Sequence, residues 1–190
     1  NKMYIYAGYL EDAAGNDLHE YDFLKNEWRE IPNHTVARYF HSACTYKDSM
    51  YIFGGYGMTG YRNDMLRYDF KENRWFEISY YGVPPKPRSV HSAVVRENCM
   101  YIFGGFTNHG MSNELFEFHL EHYTWKKISI CPEYYAYHTM CAYEDSLYVY
   151  GHRYVKEVFE YNFVTNLWRI CTPYGDVPST RILHTAVIRN

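Results

Sequence analysis

Met50-Tyr51-Ile52-Phe53-Gly54-Gly55 is the stretch on which the fold turns. It is a short apolar and aromatic run stopped by two glycines, the composition of a buried strand that ends in a tight break. The same run recurs as Met3-Tyr4-Ile5-Tyr6-Ala7-Gly8, as Met100-Tyr101-Ile102-Phe103-Gly104-Gly105 and, more loosely, as Leu147-Tyr148-Val149-Tyr150-Gly151-His152. The four starts lie 47, 50 and 47 residues apart. Self-similarity at such a period is the signature of a repeat architecture.

Other features fall into the same register. An acidic residue opens each of Asp17-Leu18-His19-Glu20-Tyr21, Asp64-Met65-Leu66-Arg67-Tyr68, Glu114-Leu115-Phe116-Glu117-Phe118 and Glu157-Val158-Phe159-Glu160-Tyr161. One tryptophan follows in each unit, at Trp28, Trp75, Trp125 and Trp168, and then a histidine, at His41, His91, His138 and His184, opens another apolar run. Each unit therefore reads as four short strands: a from the histidine, b into the glycines, c from the acid and d around the tryptophan. Short polar links such as Lys47-Asp48-Ser49 and Lys71-Glu72-Asn73 suit hairpins. A lone unit of this kind cannot bury both faces of its sheet, so the units must pack on one another.

With Tyr51-Ile52-Phe53-Gly54-Gly55, Asn63-Asp64, Tyr68-Asp69, Trp75 and Gly82-Val83-Pro84-Pro85-Lys86-Pro87-Arg88-Ser89-Val90-His91 at this spacing, the chain resembles the kelch-repeat β-propeller family along essentially its whole length. The resemblance implies an all-β fold, a kelch-type propeller of four blades of four antiparallel strands, either a closed four-bladed ring or part of a larger propeller. The expected repeats are 1–37, completed by 181–190 as a clasp, then 38–87, 88–134 and 135–180. The last departs from the pattern at His152. A chain that starts on Asn looks trimmed, which favours a piece of a larger ring, and an incomplete ring would expose faces prone to self-association.

Composition narrows the function. Aromatics make up 20% of the chain, with 23 tyrosines, and suit half-buried pleated surfaces. A net charge of −3 with scattered Lys and Arg argues against nucleic acid, and the absence of a long apolar run argues against a spanning helix. Five cysteines without a Cys-x-x-Cys pair read as reduced thiols of a cytoplasmic protein. No nucleophile elbow, His-Glu-x-x-His or phosphate loop is present, so neither enzyme activity nor a cofactor is expected. The glycines and tryptophans read as scaffold and the tryptophans as filling between blades, while the resemblance implies that the histidines bond to backbone and hold no metal.

The expected function is a protein-interaction module, such as the recognition part of an adaptor, with a cytoskeletal, actin-binding scaffold as the alternative and a metalloenzyme on the same fold as the third reading. In a meander the b–c and d–a connections share a face, and here they are the long ones, where binding residues concentrate. Arg38, Arg88 and Arg181 each stand three residues before the histidine and could clamp a carboxylate at one mouth. With Tyr61, Arg62, Tyr80, Tyr81, His109, Tyr134 and Tyr135 they form the expected contact set for an acidic or aromatic peptide. Tyr56 and Phe106, directly after the glycines, are expected to fold back as core.

Overall fold

The computed structural model of the chain describes residues 1–33, 35–151 and 156–189, which form strands and turns without a helix. Sheet one is a meander of β1 (Lys2–Leu10), β2 (Ala13–Asp22) and β3 (Glu27–Ile31). Sheet two orders β4 (Ser42–Tyr46), β5 (Ser49–Phe53), β8 (Met65–Asp69) and β9 (Arg74–Glu77), with the small hairpin β6 (Tyr56–Gly57) and β7 (Gly60–Tyr61) between β5 and β8 in the chain. After β10 (Tyr81–Gly82), sheet three runs β11 (Ser92–Arg96), β12 (Cys99–Phe103), β14 (Gly110–His119) and β15 (Thr124–Tyr135), with β13 (Phe106–Thr107) folded against β14. Sheet four is β16 (Thr139–Tyr143), β17 (Ser146–Tyr150), β18 (Val158–Asn162) and β19 (Leu167–Cys171).

These are the a, b, c and d strands read from the sequence, with strand a missing from sheet one. Strands β5 and β12 are buried at every residue, which is why their sequences are continuously apolar instead of alternating. Each d-strand tryptophan pairs across to a c-strand aromatic: Trp28 to Tyr21, Trp75 to Tyr68, Trp125 to Phe118 and Trp168 to Tyr161. Such cross-strand pairs fix register. Glycine is needed after strand b, because at Gly105 (φ 94°) a Cβ would sit 2.6 Å from the Ser89 carbonyl oxygen.

The core lies between sheets, in three clusters. Tyr6, Leu18 and Ile31 of sheet one pack on Met50, Ile52 and Leu66 of sheet two. Tyr51, Phe53 and Met65 meet Met100, Ile102 and Phe118 in the second joint, and Tyr101, Phe103 and Leu115 meet Leu147, Val149 and Phe159 in the third. Three tryptophans reach back onto strand b of the preceding sheet: Trp75 on Tyr6 (ring centroids 4.9 Å), Trp125 on Phe53 (5.1 Å) and Trp168 on Phe103 (5.0 Å). Trp28, in sheet one, is 52% exposed and packs on Tyr21 of its own sheet, so among the described residues three of the four tryptophans fill space between sheets.

A second set of contacts follows the inner edge. Phe40, Val90, Tyr137 and Leu183, each just before a repeat histidine, all take left-handed backbone angles (φ 57°, 50°, 60° and 59°). That turn aims each amide at its predecessor: Val90 N–H donates to Phe40 C=O (3.0 Å), Tyr137 to Val90 (3.0 Å) and Leu183 to Tyr137 (3.1 Å). The following histidines bond not to backbone but to the hydroxyl that opens the preceding strand a. Nε2 of His91 meets Ser42 at 2.8 Å, that of His138 meets Ser92 at 2.6 Å, and that of His184 meets Thr139 at 3.0 Å.

Residues 181–189 contain no strand and make no hydrogen bond to sheet one, so the clasp is not formed among the described residues. His152 lies outside the described residues.

Candidate partner-binding face

The long connections are tied down in pairs. Tyr39 and Tyr56 exchange backbone hydrogen bonds (2.9 and 2.8 Å), as do Ser89 and Phe106 (3.0 and 2.9 Å). Each pins a b–c hairpin to a d–a segment, giving loops with the rigidity of a sheet.

Arg38 and Arg88 are part of that scaffold. Both guanidiniums are fully buried. Arg38 donates from Nη1 to Gly54 C=O and Asp64 Oδ1 (both 3.0 Å) and from Nη2 to Asp64 Oδ2 (2.7 Å). Arg88 donates to Gly104 C=O (2.8 Å), Ser112 Oγ (3.3 Å) and Glu114 Oε2 (3.2 Å). Their backbones belong to the previous sheet, where Gly8 N–H donates to Arg38 C=O and Gly55 N–H to Arg88 C=O. Each arginine is thus a rivet from one sheet into the carboxylate of the next, and the sequence expectation that they clamp a ligand is corrected by their burial and full pairing.

Electrostatics follow from this pairing. Burial works to raise the Asp64 pKa, but the hydrogen bonds and charge of Arg38, then those of Arg62, hold it below the ordinary carboxylate value. Glu114 is held low in the same way, against its own burial, by Lys127 and Arg88. Burial, with the nearby Arg38 charge, lowers His41 to about 4, and burial drives His91 well below its ordinary value. At neutral pH His41 and His91 are therefore neutral imidazoles, and the Arg38 and Arg88 guanidiniums are neutralised by their carboxylates.

The remaining expected contact residues scatter. Tyr135 is fully buried, against Phe103 and Phe159, because it fills the position that arginine holds in the other units. Tyr80 packs edge-on to Trp125, and Tyr81 belongs to β10, which pairs in parallel with the outermost strand β15; both lie on the outer rim, away from the tied loops. Arg62 is half-buried and held on Asp64 at 3.1 and 3.2 Å. Arg181 is exposed and, among the described residues, bonds only to Ser179. His109 and Tyr134 are exposed and line one shallow depression of about 220 Å³ with Lys86.

What the tied loops bring together is aromatic. Tyr9 meets Tyr39 (5.1 Å between centroids), Tyr39 meets Phe40 (4.9 Å) and Tyr56 (5.7 Å), and Tyr56 meets Tyr61 (5.0 Å). Phe40 reaches Tyr137 at 6.0 Å, and Tyr137 reaches Phe106 at 6.0 Å. Tyr9, Phe40 and Tyr56 are 60%, 43% and 36% exposed. The rings form one connected surface over sheets one to three. Tyr56 thus faces solvent and Phe106 is half-buried, so neither is the fully buried core residue that the sequence suggested. Of this surface only Tyr61 was in the expected set.

A family model described as the KLHDC2/KLHL20/DRC7 Kelch-repeats domain matches residues 1–190. The chain belongs to the kelch-repeat family. No curated protein matches it. Kelch repeats generally mediate protein–protein interaction, and the aromatic surface of this kelch chain includes positions at which its repeats differ. The residue before the histidine is Phe40, Val90, Tyr137 or Leu183, and the one before that is Tyr39, Ser89, Ala136 or Ile182. That variation at a fixed backbone position is the signal by which a sequence reading could have found the surface. Among the described residues no group of three or more His, Cys, Asp and Glu side chains is placed to hold a metal, and no helix is long and apolar enough to cross a membrane.

Proposed function

We propose that this kelch chain binds a partner protein on the face of its tied loops, as the recognition part of a larger adaptor. The observation that carries the reading is the connected aromatic surface of Tyr9, Tyr39, Phe40, Tyr56, Tyr61, Tyr137 and Phe106. Rigid, partly exposed aromatics offer contact area at low entropic cost and dominate binding energy at interfaces. Exposed Lys86 and His109 lie on neighbouring loops and suit a partner segment that combines aromatic or apolar anchors with carboxylates.

The test compares proteins retained from a cell extract by the wild-type chain, by Tyr9→Ser/Tyr56→Ser, and by Tyr81→Ser on the rim. Loss of a retained partner by about tenfold or more in the double variant, with Tyr81→Ser unchanged, supports the reading. Equal retention by all three, or loss only with Tyr81→Ser, rejects it.

A further inference from the structure

Across each sheet a row of three paired residues runs from strand b through strand c to strand d. It reads Tyr4, Glu20, Arg29 in sheet one, Tyr101, Glu117, Lys126 in sheet three and Tyr148, Glu160, Arg169 in sheet four. The glutamate is the acceptor of the row. Tyr4 and Arg29 donate to Glu20 at 2.7 and 3.1 Å, Tyr101 donates to Glu117 at 3.1 Å, and Arg169 is paired with Glu160. In sheet two the row reads Tyr51, Arg67, Phe76. The central charge is reversed there, and the row holds no carboxylate.

Arg67 is poorly satisfied where it stands. Its Nε is buried with no hydrogen-bond partner. Nη1 reaches the Tyr123 hydroxyl at 3.4 Å, and among the described residues the one carboxylate within 4 Å is that of Asp69, 3.9 Å from Nη2. Both distances exceed that of a good hydrogen bond. The guanidinium lies over the Phe76 ring at 4.6 Å, which fixes its place. The acids around it are engaged elsewhere: Glu121 accepts from Lys47 and Tyr46, Asp48 from Lys71, and Asp69 Oδ1 from the amides of Lys71 and Glu72.

Arg67 borders a depression of about 250 Å³ between the a–b turn of sheet two and the c–d turn of sheet three, which Ser49, Tyr51 and Tyr123 also line. In a meander these turns emerge on the face opposite the tied loops. Burial, and then the neighbouring Tyr123 hydroxyl, push the Tyr51 pKa up to about 12, so at neutral pH it keeps its proton and can donate. Tyr123 accepts from Arg67 and has its own hydroxyl hydrogen to give.

We propose that this depression binds one carboxylate, the side chain of an aspartate or glutamate on a partner protein. The incoming group takes the role that Glu20, Glu117 and Glu160 play in the other rows, accepting from the Arg67 guanidinium and from the hydroxyls of Tyr51 and Tyr123. The surroundings select a carboxylate over a phosphate, because Asp48, Asp69 and Glu121 nearby repel a second negative charge. The volume suits a single side chain and is below that of a cofactor pocket. Lying opposite the aromatic surface, the site is independent of the function proposed above.

The test is an NMR titration of the 190-residue chain at constant ionic strength, read from the Arg67 Nε–H signal and the backbone amides of Ser49 and Tyr123. The probes are N-acetylglutamate α-amide, its neutral glutamine counterpart and inorganic phosphate. The glutamate probe should give saturable shifts, and the glutamine probe should bind about tenfold more weakly or not at all. Arg67→Glu recreates the row of the other sheets; it should remain folded by circular dichroism and lose the response of the two backbone amides. Tyr51→Phe should weaken binding by about threefold. Tyr9→Ser/Tyr56→Ser, on the opposite face, should bind the glutamate probe as the wild type does, which separates this site from the aromatic surface. Absence of a saturable shift with the glutamate probe, an equal response to the glutamine probe, tighter binding of phosphate, or an undiminished response in Arg67→Glu overturns the proposal.

Discussion

The joint between sheets two and three and the open face of sheet one are built from the same residue types, and they differ in whether a neighbour is present. In the joint, Trp125 is 4% exposed against Phe53, and Arg88 is fully buried on Glu114. At the open face Trp28 is 52% exposed, and Asp17 has a buried oxygen with no donor. The comparison shows that the repeat motif specifies joints and not sheets. Strand pairing within sheet one is intact, whereas the burial of Trp125 and Arg88 and the hydrogen bond of His91 depend on what lies across the gap.

The largest effects that would break this comparison come from the joint. Trp125→Ala and Arg88→Ala should each cost about 3–5 kcal/mol in chemical denaturation, one through a cavity and the other by stranding buried polar groups. Trp28→Ala should cost under about 1 kcal/mol and Arg181→Ala should stay within about 0.5 kcal/mol. Equal costs at the two places would refute the reading. Next in size, Ser42→Ala removes the hydroxyl bonded to buried His91 and should cost about 1–3 kcal/mol, whereas Thr185→Ala at an exposed position should be neutral.

The last effect is on pH dependence. His41 and His91 have folded pKa values below the ordinary 6.5, so as pH falls the unfolded chain takes up these protons first. Stability should begin to fall below about pH 6.5 and continue to fall towards pH 4. The depressed carboxylates of Asp64 and Glu114 contribute stability that is present above about pH 4 and lost as pH falls through their lower folded values. Denaturation midpoints at pH 7.5, 6 and 5 would measure the first window, and a flat profile there would contradict burial of neutral imidazoles.

The strands were legible because their signal is local. Apolar runs closed by glycine, with an acid, a tryptophan and a histidine in fixed order, locate β5, β8, β9 and β11 from sequence alone. Long-range pairing was less so. Arg88 before a histidine looks the same whether its guanidinium faces a ligand or Glu114, and only the fold brings Glu114 beneath it. Tyr80 and Tyr81 were misplaced because β10 crosses to the rim of the next sheet, where a Cβ on Gly82 would collide with the Trp125 carbonyl. The aromatic surface escaped notice because Tyr39, Phe40 and Tyr137 sit beside the repeat histidines and share their scaffold position.

The inner chain of hydrogen bonds also orders the molecule in time. Val90, Tyr137 and Leu183 give their amide hydrogens to the residue before them in the series, so each is shielded from solvent only while two successive sheets remain together. Phe40, with no backbone acceptor among the described residues, should trade its hydrogen for deuterium without waiting for any sheet to part. Four equivalent positions in one chain thus form a set of clocks, three timing the separation of a particular pair of neighbours and the fourth running free until something docks beside it.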